Sequence, residues 1–185
     1  EYIDLHNILL KRRNFFRKPL INEIIEFGCG TGWLANSISY HYEKTVKGVD
    51  YTVKAIEIAD KISRKINKKN KFELSNLFTY EDEKKYDLVI SMGCLHHTNN
   101  CKAAFKKISR FVKKGGYFYV GLYHLYSRIP MLDFLKSQAY WYGNESAYNI
   151  FRRMNQDMEN PEHNYSWFRD QVLHPQETQH TLKEV

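Results

Sequence analysis

Three glycines at alternate positions, Gly28, Gly30 and Gly32, stand directly behind a short apolar run, Ile24-Ile25-Glu26-Phe27, and a helical pattern begins at once near Thr31. Glycine admits positive φ and lets a ligand approach where a Cβ would collide. A helix starting there aims N–H groups that have no intrahelical partner at whatever lies on the loop. Asp50 follows Gly32 by 18 residues and ends the next apolar segment, close to the spacing at which an acid closing a second strand grips ribose hydroxyls. Strand, loop, helix start and acid together describe a pocket for an adenosine-containing ligand better than a bare glycine turn.

The spacing also separates ligands. Dinucleotide dehydrogenases use G-x-G-x-x-G, with a pyrophosphate on the helix N-terminus. Here the pattern is E-x-G-x-G-x-G with Glu26 in front. A carboxylate at that point is ill suited to a diphosphate. It suits a cationic ligand, such as the amino group and sulfonium of S-adenosylmethionine.

Four segments in order then carry a family resemblance. The run Glu26 to Gly32 resembles the first motif of class I S-adenosylmethionine-dependent methyltransferases. Val49-Asp50 matches the second strand end, and Tyr86-Asp87-Leu88-Val89-Ile90-Ser91, followed by Gly93-Cys94-Leu95-His96-His97-Thr98, matches the fourth strand and its loop. The stretch from Ile108 to Phe118, through Lys113-Lys114-Gly115-Gly116, is similar to the helix, turn and fifth strand. The resemblance covers about residues 20–123 and is nearest to small-molecule C- and O-methyltransferases with an L-H-H after strand four.

The resemblance implies S-adenosyl-L-methionine as cofactor and assigns site residues. Gly28, Cys29, Gly30 and Gly32 would line the methionine moiety and ribose, Glu26 would orient the amino end, and Asp50 would accept from both ribose hydroxyls. Tyr51 would lie against adenine and Leu77 would flank the ring. Asn76 stands where many members have an aspartate accepting from the adenine amino group, a role its carbonyl can fill. Ser91 and Met92 would lie under the sulfonium and methyl. Methyl transfer is an in-line displacement on an already activated sulfonium, so alignment and desolvation supply much of the rate. Where an acceptor must lose a proton, His97, then His96, are the candidate bases, with Tyr123, His124 and Tyr126 as further acceptor contacts. Adjacent histidines without carboxylate ligands do not point to a metal, and none is expected.

These residues need a scaffold, and the chain supplies an alternating pattern. Residues 2–17 read as an amphipathic helix. Strands are expected at about 23–27, 45–49, 71–74, 86–91 and 117–122. Helices are expected at about 31–42, behind a Thr52 N-cap with Ala55, Ile58, Ala59, Ile62 and Ile66 inward, and through Ala104, Phe105, Ile108, Phe111 and Val112. This predicts an α/β fold: a Rossmann-like, doubly wound, mainly parallel sheet flanked by helices. Residues 127–142 and 144–158 read as helices, the second with a stripe of Ala147, Ile150, Phe151, Met154 and Met158. The segment 161–177 reads as irregular and aromatic. The predicted organisation is therefore a helix at 1–20, a cofactor-binding core at 21–123, a helical lid-like insertion at 124–180, and a helix opening at 181–185. There Thr181-Leu182-Lys183-Glu184 forms a capping box. A helix so short cannot stand alone, so the chain is expected to be a fragment lacking the C-terminal hairpin of the fold.

Composition narrows the classes. Among 185 residues there are 28 Lys and Arg against 21 Asp and Glu. The excess gathers on two expected helix faces and reads better as solvated surface than as a nucleic-acid ribbon, since no aromatic-interleaved basic module accompanies it. No apolar run approaches a membrane span. Three cysteines without a C-x-x-C argue against a disulfide framework and for a cytoplasmic protein. The expected activity is methyl transfer to an O, N or C acceptor on a small metabolite. The alternatives are a non-catalytic binding protein of the same fold, an NAD-dependent oxidoreductase and a nucleic-acid methyltransferase.

Overall fold

A computed structural model describes residues 20–156, 160–181 and 183–184. The helix expected over 2–17 lies outside the described residues.

The sheet is built from β1 (Ile24–Phe27), β2 (Val46–Asp50), β3 (Lys71–Leu74), β4 (Tyr86–Met92) and β5 (Val112–Gly121), in the order β3-β2-β1-β4-β5 with every pair parallel. β1 is central and wholly buried, which is why Ile24, Ile25 and Phe27 are all apolar, on both of its faces, with Glu26 the exception. Its neighbours β2 and β4 mark the place where strand order reverses, and ligands of such sheets bind outside the strand C-termini there.

Helices cover both faces. Strand periodicity sends Ile25 and Phe27 one way, where they pack with Ala104 and Ile108 of α3 (Cys101–Ser109). Ile24, Leu88 and Ile90 face the other way, onto Leu34, Ala35 and Ile38 of α1 (Trp33–Tyr42). Glu26 shares this α1 face. α2 (Val53–Lys65) joins α1 through a buried polar chain: Asn36 Nδ2 donates to Ala59 O at 3.1 Å, and Asn70 Nδ2 donates to Asn36 Oδ1 at 2.9 Å. Asn70 Oδ1 accepts from Val46 N at 2.9 Å and from Ser39 Oγ. Buried amide groups are tolerated here because each finds a partner.

Below the sheet, Asp82 ties the β3–β4 connection. It accepts from Tyr80 Oη (2.8 Å), Tyr86 Oη (2.7 Å) and Lys84 N (2.9 Å), with Lys47 Nζ at 3.2 Å. These bonds hold its carboxyl well below the usual range even though partial burial opposes them, while burial and the adjacent carboxylate push both tyrosines up.

Several boundaries differ from expectation. α1 starts at Trp33, because Gly32 takes the N-cap in a left-handed conformation (φ 73°). Thr52 is the N-cap of α2 by position, but its side chain makes no cap bond. Ile58 is on the outer side of α2. α3 ends at Ser109, so Phe111 and Val112 are not helical. β5 begins at Val112, pairs it with Tyr86, and then loops out residues around Gly115 (φ 78°) before Tyr117 meets Leu88. The glycine pair is a bulge inside the strand rather than the turn before it.

The chain divides after Leu122. The second unit holds α4 (Leu125–Tyr142), α5 (Asn144–Met154) and α6 (Pro161–Gln171) around Leu135, Ala147, Phe151, Phe168 and Val172. α6 occupies most of the segment expected to be irregular. Asn160 Oδ1 caps it, accepting from Glu162 N (3.0 Å) and His163 N (3.1 Å), with Pro161 in the first turn. α5 stops at Met154, and Met158 lies outside the described residues. Arg128 and Glu177 form a buried two-point ion pair (2.9 and 2.8 Å), and the guanidinium lies 4.1 Å from the Tyr123 ring centroid. At the end of the chain the Glu184 carboxylate accepts from Thr181 N at 2.8 Å, the back-bond of a capping box. Among the described residues no helix is long and apolar enough to cross a membrane.

Candidate functional site

The C-terminal ends of β1, β2 and β4 bring most of the sequence-nominated residues together. The glycine loop leaves β1 and is fastened to β2: Gly28 N and Cys29 N donate to Val49 O at 2.8 and 3.2 Å, and Gly30 N donates to Asp50 Oδ2 at 2.9 Å. The other Asp50 oxygen accepts from Thr52 N at 2.9 Å. Asp50 thus fixes both the glycine loop and the entry to α2. A carboxylate offers about four lone-pair directions, so two remain for hydroxyl donors.

The three glycines have different physical reasons. A Cβ on Gly28 would stand 2.4 Å from the Cys94 side chain, and one on Gly32 would meet Ala59 at 2.8 Å and Phe72 at 3.0 Å. Both positions also have positive φ. Their need for glycine comes from the protein's own packing. Gly30 (φ 51°) has nothing within 4 Å of an added Cβ, and it is the member of the run whose backbone faces open space. Gly93, directly after β4, is alike: φ 67° and open space. Sequence reasoning quoted Gly93 within the strand-four motif without nominating it; its place just past a strand end was the available signal.

Glu26 is the unusual group. It is 1% exposed on the central strand, opposite Gly48 and Ile90. The Ala35 N–H in the first turn of α1 hydrogen-bonds it, yet Oε2 has no hydrogen-bond partner among the described residues. Burial pushes its carboxyl up to about 8; the Ala35 bond opposes this and the Asp50 charge adds to it. A buried polar atom left unsatisfied is costly. An ammonium group would satisfy Oε2 and offset the charge, so the residues present fit the amino end of S-adenosylmethionine.

In the first unit the remaining nominees are spread around this centre. Cys29 is buried, and burial with the neighbouring Glu26 and Asp50 carboxylates raises its thiol. Ser91 is fully buried and donates to Phe27 O at 3.0 Å, joining β4 to β1. Met92 packs toward Gly121 of β5. Tyr51 is 79% exposed, and a planar ligand could rest on it. Asn76 Oδ1 accepts from Phe78 N at 2.9 Å, which leaves its amide N–H groups as the more available donors. Leu77 is half-buried against the α3-side core. His96 and His97 lie in a single 3-10 turn, Leu95–His97, with ring centroids 4.2 Å apart. His96 is fully buried and His97 half-buried with its Nε2 enclosed, so of the two only His97 has any exposed surface. In the second unit, the Tyr123 hydroxyl accepts from Gln171 Nε2, and the His124 and Tyr126 rings lie 5.7 Å apart.

Comparison with known proteins agrees with this geometry. The sequence profile of a family described as "Methyltransferase domain" matches residues 22–183. A ubiquinone biosynthesis O-methyltransferase of Pelagibacter ubique is 29% identical over 104 residues, covering 56% of this chain and 43% of that protein. A putative methyltransferase of Invertebrate iridescent virus 6 is 31% identical over 115 residues, covering 60% and 42%. The chain spans less than half the length of these curated relatives. Among solved structures, PKMT2 from Rickettsia typhi superposes with a TM-score of 0.71 at 15% identity over 89% of this chain and 37% of its own. Coclaurine N-methyltransferase bound to N-methylheliamine and SAH gives 0.58 at 22% identity over 66% and 36%. These likenesses establish the Rossmann-like methyltransferase fold.

Proposed function

The chain belongs to the methyltransferase-domain family, and on that footing we propose that it binds S-adenosylmethionine at the C-terminal ends of β1, β2 and β4 and moves a methyl group to an O, N or C acceptor on a small metabolite. The observation that carries the reading is Glu26, a buried carboxylate with one oxygen unpartnered among the described residues, set beside a glycine loop that Asp50 holds in place. A nucleotide pyrophosphate would offer Oε2 no cation and would disfavour its ionisation; an ammonium would pair with the ionised carboxylate.

The cofactor supplies an activated methyl group, so the protein has to bind, orient and exclude water. Asp50 accepts the ribose hydroxyls with its spare lone pairs, and the Gly30 backbone borders the ligand. Tyr51 and Leu77 flank the base, with Asn76 at its polar edge. Glu26 receives the amino group. Gly28, Cys29 and Gly32 shape the loop, and Ser91 and Met92 close the floor beneath the reacting centre. His97 takes a proton where the acceptor must lose one. The named relatives include both O- and N-methyltransferases, so both acceptor atoms stay within the proposal. The three cysteines carry no disulfide, in keeping with a cytoplasmic setting.

Titration of the chain with S-adenosylhomocysteine tests the assignment. Asp50→Ala should weaken binding by ~1–3 kcal/mol, since charge-assisted bonds are lost and the loop is loosened. Equal affinity in the variant would contradict it.

A further inference from the structure

We propose that this site takes up its ligand with release of a proton: Glu26 is a neutral acid in the ligand-free protein and ionises when a cationic amino group reaches Oε2, so that affinity for amino-bearing ligands is set by pH. The inference rests on the cofactor reading above and adds a regulation to it.

The geometry gives the reason. Glu26 is enclosed between β2, β4 and α1, and Oε2 is without a partner among the described residues. The titratable groups that face it are Asp50 from β2, the Cys29 thiol from the glycine loop and the Cys94 thiol beyond β4. Both thiols are raised, Cys94 to about 11, so neither is ionised near neutrality. The one charge among the three is the Asp50 carboxylate, which disfavours a second anion. On α1 the contribution is the Ala35 N–H. No basic side chain forms an ion pair with Glu26 among the described residues. Its carboxyl, raised to about 8, therefore carries its proton in roughly nine molecules in ten at pH 7. An ammonium at Oε2 supplies the missing partner and charge, which favours the ionised form. The balance is one neutral acid plus one ammonium giving one carboxylate–ammonium pair and one proton to solvent.

The test uses two ligands on the unmodified chain. S-adenosylhomocysteine carries the amino-acid tail; 5′-methylthioadenosine is the nucleoside without it. Calorimetry at pH 7 in two buffers of different ionisation enthalpy counts protons. About 0.9 proton should leave per S-adenosylhomocysteine bound and none per methylthioadenosine. The Kd for S-adenosylhomocysteine should tighten about tenfold from pH 6 to pH 7, with methylthioadenosine flat. Glu26→Gln should abolish the proton release; if that variant does not fold, the two-ligand comparison still decides. Binding of S-adenosylhomocysteine with no proton release and a Kd constant over that range overturns the inference and leaves the cofactor reading standing. No binding of either ligand removes both.

Discussion

At the scale of single residues, the site separates groups that hold the loop from groups that meet the ligand. Gly28 and Gly30 look equivalent in the sequence, but Cys94 stands behind one and open space behind the other. Gly28→Ala should cost about 2 kcal/mol or more in stability, from the collision with Cys94 and the unfavourable φ together. Gly30→Ala carries only the backbone penalty of about 1 kcal/mol, yet it puts a methyl group into the ligand's space. Denaturant unfolding and S-adenosylhomocysteine titration on both variants check this. Gly28→Ala should lose mainly stability and Gly30→Ala mainly affinity; the reverse pattern would refute the distinction.

At the scale of elements, the sheet was the most legible part of the chain. β1, β2 and β4 are apolar runs closed by Gly28, Asp50 and Gly93, and each found its expected place within about a residue. What the sequence hid were the local competitions. Phe111 fits the helical stripe of α3, but Tyr86 N donates to Phe111 O at 2.7 Å, and the chain passes into β5 five residues early. α6 was hidden for the opposite reason: Tyr165, Trp167 and Phe168 give no clean stripe, and the Asn160-Pro161 start that the structure shows went unread. Because Asn160 serves two N–H groups, Asn160→Ala should destabilise the chain by ~1 kcal/mol, read as a lower denaturation midpoint; an unchanged midpoint would mean that packing against Phe151 alone holds α6. The glycine loop, Glu26 and Asp50 were legible because spacing alone places them at strand ends. The unpartnered Oε2 of Glu26 was not, since it depends on neighbours distant in sequence, and the Asn76 Oδ1 bond to Phe78 N two residues on was not, since it depends on the local turn.

At the scale of the whole molecule, Glu26 leaves a mark on stability as well as on binding. Its folded-state value of about 8 lies above the 4.5 of the exposed group, so the native state holds more protons than the unfolded chain between those limits. The stabilisation is fully present below pH 4.5 and is lost as pH rises toward 8, at up to ~1.4 kcal/mol per pH unit from this group. Asp82 and Asp87 act oppositely. Their lowered values give stability that is full above the usual carboxylate range and is lost progressively as pH falls below it, on the acid side of the Glu26 window. Thermal melts from pH 5 to pH 8 should therefore show a falling midpoint, flattened in Glu26→Gln; a midpoint rising over that range would contradict the assignment.

The same carboxylate decides between the two nucleotide readings that an alternate-glycine loop permits. The most direct measurement is calorimetric titration of the whole chain with S-adenosylhomocysteine and, separately, with NADH at pH 8, where Glu26 is half ionised or more. The account predicts saturable one-to-one binding of S-adenosylhomocysteine and none of NADH at the same concentrations. Binding of NADH with S-adenosylhomocysteine silent would contradict it.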